Sequence, residues 1–205
     1  EEKWVIDDSN VNDLDYQQHI FAAYASYGYR FSKLTLKAGT RLEYTLNRGL
    51  SKSASGNLTF DNGNFNIVPY LNAAWKIDSR NTLSASYTRR LGRPSVTYLN
   101  PYIFEESPYS KMHGNPDLRT VVSDALTLTY RTSGETWDLT VRTYGSLCNN
   151  KIEYLSKVYP DGLKVSTYEN AVTYNHIDEM VSFNWNPGQR FSLQSSAKVG
   201  YNYFY

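Results

Sequence analysis

The side chains that could do catalytic or metal chemistry are few and scattered. His19, His113 and His176 have no spacing that would bring two imidazoles onto one ion. No Gly-x-Ser-x-Gly elbow and no phosphate-cradling glycine loop occurs. Cys148 is the single cysteine, has no internal disulfide partner, and reads as an inert strand residue rather than a nucleophile. Glu105-Glu106 fall in an irregular run, where they suit a hard cation such as Ca²⁺ or simply a solvated acidic loop. An enzyme is not expected, and no cofactor or metal is implied. The residue in excess is tyrosine, 19 against 8 Phe and 4 Trp, an apolar body with a polar tip suited to surfaces where grease meets water. A formal net charge of +1 gives no case for nucleic acid.

The elements that carry these side chains alternate with a period of two. Phe21, Ala23, Ala25, Tyr27, Tyr29 and Phe31 share one face, opposite Ala22, Tyr24, Ser26, Gly28 and Arg30. From Leu34 to Leu46, Leu34, Leu36, Ala38, Leu42, Tyr44 and Leu46 oppose Thr35, Lys37, Gly39, Arg41, Glu43 and Thr45 over about 13 residues, with Thr40 the exception on the apolar side. That exceeds the about 5–6 residues of an ordinary strand and suffices for the roughly 9–11 of a tilted membrane-crossing one. Similar runs fall at 65–77, 83–90, 126–131, 137–147, 181–185 and 191–205. Pro69 lacks a donor, so its strand is expected to lose a ladder bond or bulge there.

About eight long strands result, joined by connections that alternate short and long. The short ones are at 32–33, 78–81, 132–135 and 186–189. The long ones are at 48–63, 91–122 and 149–170, the last with a hairpin signal at Tyr159-Pro160-Asp161-Gly162. Residues 1–16 read as a polar loop. No helical period and no run of about 20 apolar residues occurs. The expected fold is all-β, an antiparallel up-and-down transmembrane β-barrel segment with short periplasmic turns and long extracellular loops.

Aromatic placement supports the membrane reading. Phe31, Trp75, Trp137, Trp185 and Phe191 lie on the apolar face near the short turns; Tyr44, Phe65, Tyr87 and Tyr203 lie near the opposite strand ends. Two girdles bounding an apolar band match the two interfaces of a bilayer. On the other face Lys37, Arg41, Glu43, Arg131 and Arg142 suit a water-filled or polar-plugged lumen. A soluble or stand-alone β-barrel with a binding or structural role, its polar face solvated, is the alternative. The chain opens on Glu1-Glu2-Lys3-Trp4 without a signal peptide and ends inside an alternating run, so the expectation is a piece of a larger outer-membrane barrel.

The run Arg89 to Leu118 holds four of the seven prolines and has neither a helix nor a strand period. Arg93-Pro94-Ser95, Leu99-Asn100-Pro101 and Gly114-Asn115-Pro116-Asp117-Leu118 follow Leu83-Ser84-Ala85-Ser86-Tyr87-Thr88-Arg89-Arg90, with Ala38-Gly39-Thr40-Arg41-Leu42-Glu43 upstream and Tyr168-Glu169-Asn170-Ala171 downstream. In order and spacing these pieces resemble TonB-dependent receptor barrels of the Bacteroidota type, the outer membrane protein beta-barrel family. The resemblance runs from about Tyr16 to the end. It departs after Leu118, where a basic residue, Pro and Glu are usual and Arg119-Thr120-Val121 stands here.

The resemblance implies the cell outer membrane as location and its lipid as surroundings. It implies part of a transporter or receptor that takes up a large solute of the iron-chelate, cobalamin, glycan or peptide class. It implies coupling to TonB through a plug domain that this sequence does not contain, and a surface lipoprotein as a further partner. Tyr98, Tyr102, Phe104 and Tyr109 in the central loop are the candidates for stacking on sugars or flat ligands, and packing of the loop against itself is the alternative for each.

Overall fold

The structure, a computed structural model, describes residues 11–54, 56–188 and 190–205. Its elements are β1 (Asn12–Arg30), β2 (Leu34–Ser53), β3 (Gly56–Lys76), β4 (Asn81–Gly92), the one-turn helix α1 (Val96–Leu99), β5 (Phe104–Ser107), β6 (Ser110–Met112), β7 (Val121–Ser133), β8 (Trp137–Val158), β9 (Lys164–Gly188) and β10 (Phe191–Phe204). Eight long strands pair antiparallel with their chain neighbours in the order β1-β2-β3-β4-β7-β8-β9-β10. The sheet curls into a half-barrel, a segment of a transmembrane β-barrel.

Burial decides which face meets hydrocarbon. On β2, Glu43, Thr45 and Asn47 are 1–2% exposed, while Leu42 and Tyr44 are each 42% exposed. Among the described residues nine polar or charged residues are buried against six hydrophobic ones, the reverse of a water-soluble core. The outward face carries Phe21, Leu42, Phe65, Leu71, Leu126, Leu128 and Val181, all exposed, with Phe31, Trp75, Trp137, Trp185 and Phe191 near the short turns. An apolar surface this continuous is stable only in lipid. Charged groups on this face are partnered: Glu179 Oε2 accepts a hydrogen bond from the Thr143 hydroxyl at 2.6 Å, and Arg89 pairs with Asp124 at 2.8 Å.

The strands are longer than a membrane needs. β2 has 20 residues, β8 has 22 and β9 has 25, about twice the roughly 9–11 of a tilted crossing. Their upper halves stand above the apolar band on the extracellular side, which corrects three expected loops. The loop expected at 1–16 is strand from Asn12 onward, and its residues 1–10 lie outside the described residues. The loop expected at 48–63 is a hairpin in which β2 pairs β3 out to Ser53 opposite Gly56. That expected at 149–170 is the upper part of β8 and β9, which pair out to Val158 opposite Lys164. The expected Tyr159–Gly162 turn closes that hairpin, with the Gly162 N–H donating to the Tyr159 carbonyl at 2.9 Å.

The physical reason is common to all three. Above the bilayer the outward face meets water, so the alternation that marks a strand reverses or vanishes. Asp13 and Asp15 point outward there, while Leu14 and Tyr16 pack inward against the cluster of Phe60, Leu99 and Leu118. Gly49 lets the Phe60 ring lie flat on the wall; a Cβ there would stand 2.2 Å from the ring.

Pro69 ends a ladder, as its missing donor requires. β3 pairs β4 only from Tyr70 opposite Thr88 down to Lys76 opposite Thr82. Above that point β3 stays with β2 and β4 with β7, so the two halves of the sheet part.

Candidate functional site

The connection from β4 to β7 is folded inward over the polar face near the extracellular end. Instead of being structureless, it contains α1 and the β5–β6 hairpin, and β6 adds to the upper edge of β9 in parallel, Ser110 opposite Lys164 and Met112 opposite Ser166. Leu99 and Leu118 are its apolar pegs, at 0% and 1% exposure.

Side-chain amides hold the segment from Pro116 to Val122 in the gap between β3 and the β8–β9 hairpin. From β3, Asn62 Nδ2 donates to the carbonyls of Pro116 at 2.5 Å and Leu118 at 2.9 Å, and Asn64 Oδ1 accepts the Thr120 N–H at 3.3 Å. From the other side, Asn150 accepts the Val122 N–H at 2.9 Å and donates to the Thr120 carbonyl at 2.8 Å. Asn170 accepts the Arg119 N–H at 2.8 Å and donates to the Arg119 carbonyl at 3.1 Å. Pro116 to Thr120 has no strand neighbour, and Val121 and Val122 have one only on the β4 side, so the backbone here is satisfied through asparagines, each of which offers one acceptor and one amide donor group. Just before this segment, Asn115 Nδ2 donates to the Tyr168 carbonyl at 3.0 Å. Asn100 Nδ2 donates to Asn12 Oδ1 at 2.8 Å.

An ion cluster ties the loop's first residues to the wall. The buried Glu43 carboxylate pairs with Arg93 of the loop and with Arg41 of β2 at 3.1 Å. Lower on the polar face, Asp178 of β9 is 3% exposed and meets Lys198 at 3.1 Å and His176 Nε2 at 2.8 Å, with Arg142 Nη2 at 3.8 Å. Arg131 faces Asp138 at 3.6 Å. Lys37, Arg41, Glu43, Arg131 and Arg142 all share the lumen face by strand register.

The aromatic candidates of the loop divide. Tyr98 is half-buried and stacks on Tyr168 with ring centroids 4.0 Å apart, and Tyr154 leans on Tyr168 at 5.3 Å. Burial, then the Tyr98 and Tyr154 rings beside it, pushes the Tyr168 phenol above its ordinary range. Tyr102 is buried and meets the edge of Phe104 at 4.7 Å. Phe104 keeps an exposed face, and Tyr109 at the β5–β6 hairpin is 69% exposed. Tyr98 and Tyr102 therefore pack the loop, while Phe104, Tyr109 and Tyr154 present rings to the exterior. Tyr168, Tyr154, Arg93 and the four clamping asparagines were missing from the expected site. Their one sequence signal is the recurrence of Asn at inward strand positions above the apolar band.

The whole length of the chain, residues 1–205, matches one family description. The chain belongs to the outer membrane protein beta-barrel family. It therefore resides in the cell outer membrane. No curated protein matches the sequence. Among solved structures, the copper transporter OprC superposes with a TM-score of 0.69 at 11% identity, over 92% of this chain and 30% of that one. The FrpB iron transporter from Neisseria meningitidis gives 0.64 at 12% identity, over 94% and 27%. The siderophore receptor PiuA from Acinetobacter baumannii gives 0.64 at 12%, over 93% and 26%. At these identities the likeness is one of fold, and this family member spans under a third of each of those chains.

Proposed function

We propose that this chain is part of the barrel wall of an outer-membrane uptake receptor for a large solute of the iron-chelate, cobalamin, glycan or peptide class. TonB would drive it through a plug domain, and a surface lipoprotein would be an extracellular partner. The observation that carries the reading is the loop clamped inside the mouth. A wall protein gains nothing from a loop pinned by four asparagines across its own lumen, whereas a selective receptor needs a rigid constriction there. The resemblance of the Arg93–Leu118 motifs to TonB-dependent receptors supports it. So does the likeness of fold to chains described as a copper transporter, an iron transporter and a siderophore receptor.

The test uses the full-length protein in its own outer membrane. Deleting residues 94–119 should abolish uptake of one solute from a panel covering the four classes, and removing TonB should abolish the same uptake. Uptake that persists without TonB sinks the reading. Topology is checked by labelling intact cells with a membrane-impermeant thiol reagent. Ser53→Cys and Ser107→Cys should react and Ser79→Cys should not; the reverse pattern would invert the barrel. A full-length chain that stays folded and monodisperse without detergent would favour the soluble alternative.

A further inference from the structure

Below the clamped loop, where β3 and β4 part above Tyr70 and Thr88, the lumen wall holds a cavity of about 590 Å³. Tyr24, Lys37, Arg41, Tyr70, Thr88 and Arg90 line it, and no carboxylate does. Two sequence features shape it. Pro69 ends the β3–β4 ladder and lets the strands separate. Gly39 lets the Tyr70 ring lie against the wall, since a Cβ there would come within 2.6 Å of the ring and 2.7 Å of the Ala25 carbonyl. Lys37 Nζ then stands 5.9 Å over the Tyr70 ring.

The cations of this cavity outnumber the carboxylates that reach them. Arg41 reaches Glu43, but that carboxylate is already shared with Arg93. Arg89 turns to the outer face, where its guanidinium forks onto Asp124 at 2.8 and 2.9 Å. Lys37 and Arg90 have no carboxylate partner among the described residues. Tyr24 stands opposite Arg41 and is 84% exposed. Like charges converging on a concave wall of low dielectric focus a positive potential and raise the local concentration of anions. A guanidinium fork matches a carboxylate or phosphate, and the Tyr24 and Tyr70 rings offer a flat or sugar-like body a surface to lie on. The volume falls in the range of small-molecule sites.

We propose that this cavity is a binding site for an anionic solute, one carrying a carboxylate or phosphate on a compact body, held by Lys37, Arg41 and Arg90. This deepens the uptake-receptor reading and rests on it: the solute that passes the clamped loop meets a cationic station half-way down the wall.

The test titrates folded, detergent-solubilised full-length protein with citrate and inorganic phosphate, with glucose as the neutral control, by calorimetry. Citrate should bind the parent protein, less tightly as NaCl rises, and glucose should not. The Lys37→Gln/Arg90→Gln double variant should weaken citrate by about ten-fold or more, the loss expected for charge-assisted contacts. Arg48→Gln, whose guanidinium pairs with Asp61 on the outer face, should leave it unchanged. Heat-dependent gel mobility verifies that each variant is folded. No citrate or phosphate binding by the parent, or equal binding by the double variant, overturns the proposal. So does a parent that ignores both anions while the double variant alone unfolds at lower temperature, since an acidic segment of the protein itself would then fill the cavity. Citrate binding without TonB-dependent uptake defeats the uptake reading and leaves the site standing. Uptake without citrate or phosphate binding does the opposite.

Discussion

Asn62 illustrates how single side chains hold this protein together. Its amide serves two loop carbonyls that have no strand partner, those of Pro116 and Leu118. Asn62→Ala leaves both short of a donor in a buried setting and should destabilise by about 1–3 kcal/mol. Urea titration of the full-length protein in lipid vesicles should read that loss, with protease cleavage newly appearing within 94–119; Asn57→Ala, higher on the same strand and exposed, should do neither. Asp78 works at the opposite end. In the periplasmic turn its Oδ1 accepts from the Arg80 and Asn81 N–H groups at 2.8 Å each, and its carboxylate also takes the Asn81 side-chain amide. The hydrogen bonds from Asn81 and from the turn backbone hold the Asp78 carboxyl below its ordinary value. A depressed acid adds stability that is fully present above the unfolded value near 3.8 and is lost as pH falls through the folded one. The thermal midpoint should therefore drop as pH falls below the unfolded value of 3.8, and that part of the drop should be missing in Asp78→Asn.

At the scale of elements, the loop and the strands beneath it act as one unit. Arg93 ties the loop's start to the buried Glu43. Arg93→Ala should cost about 2–4 kcal/mol, less than the full penalty of breaking a wholly buried pair, because its side chain is 31% exposed and Arg41 remains. Chemical unfolding in vesicles measures it, and Arg93→Lys should recover only part. The strands divide by what could be read from residues alone. Leu34 to Leu46 was legible because one face meets hydrocarbon and the other the lumen, and Pro69 was legible because its missing donor has one consequence. Asn12 to Tyr16, 48–63 and 149–170 were not, because above the bilayer both faces meet water or a polar interior and no alternation survives. The asparagine clamp was illegible for another reason: its partners lie 28 to 56 residues apart, and an amide side chain carries no mark of which backbone it will serve. The loop aromatics showed as types, but whether a ring packs inward, as Tyr102 does, or outward, as Tyr109 does, depends on contacts made only in the fold.

On the scale of the molecule, this is a wall with an apolar outside and a charged inside. The two faces should answer differently to the same change at adjacent residues. Val181→Lys puts an ammonium into the hydrocarbon and should destabilise by about 2–4 kcal/mol. Ser182→Lys, one residue on and facing the lumen, should cost less than 1 kcal/mol, roughly the scale of an ordinary surface substitution. Unfolding of both variants in vesicles of one lipid composition decides it, and equal losses would mean that the faces have been assigned wrongly.

The upper halves of β8 and β9 carry a consequence for assembly. Laid out, the 25 residues of β9 extend about 80 Å, well beyond a hydrocarbon band roughly 25 Å tall. A barrel that enters the membrane from the periplasm must pass those polar ends, and the loop between β4 and β7, through the bilayer before its lower halves can settle. The clamp cannot be complete during that passage, because β3 brings Asn62 and the β8–β9 hairpin brings Asn150 and Asn170 from opposite sides of the sheet. The mouth should be the last part to become ordered, after the wall has closed beneath it. In pulse-labelled cells, the protease-resistant barrel should form first and protection of the loop should follow.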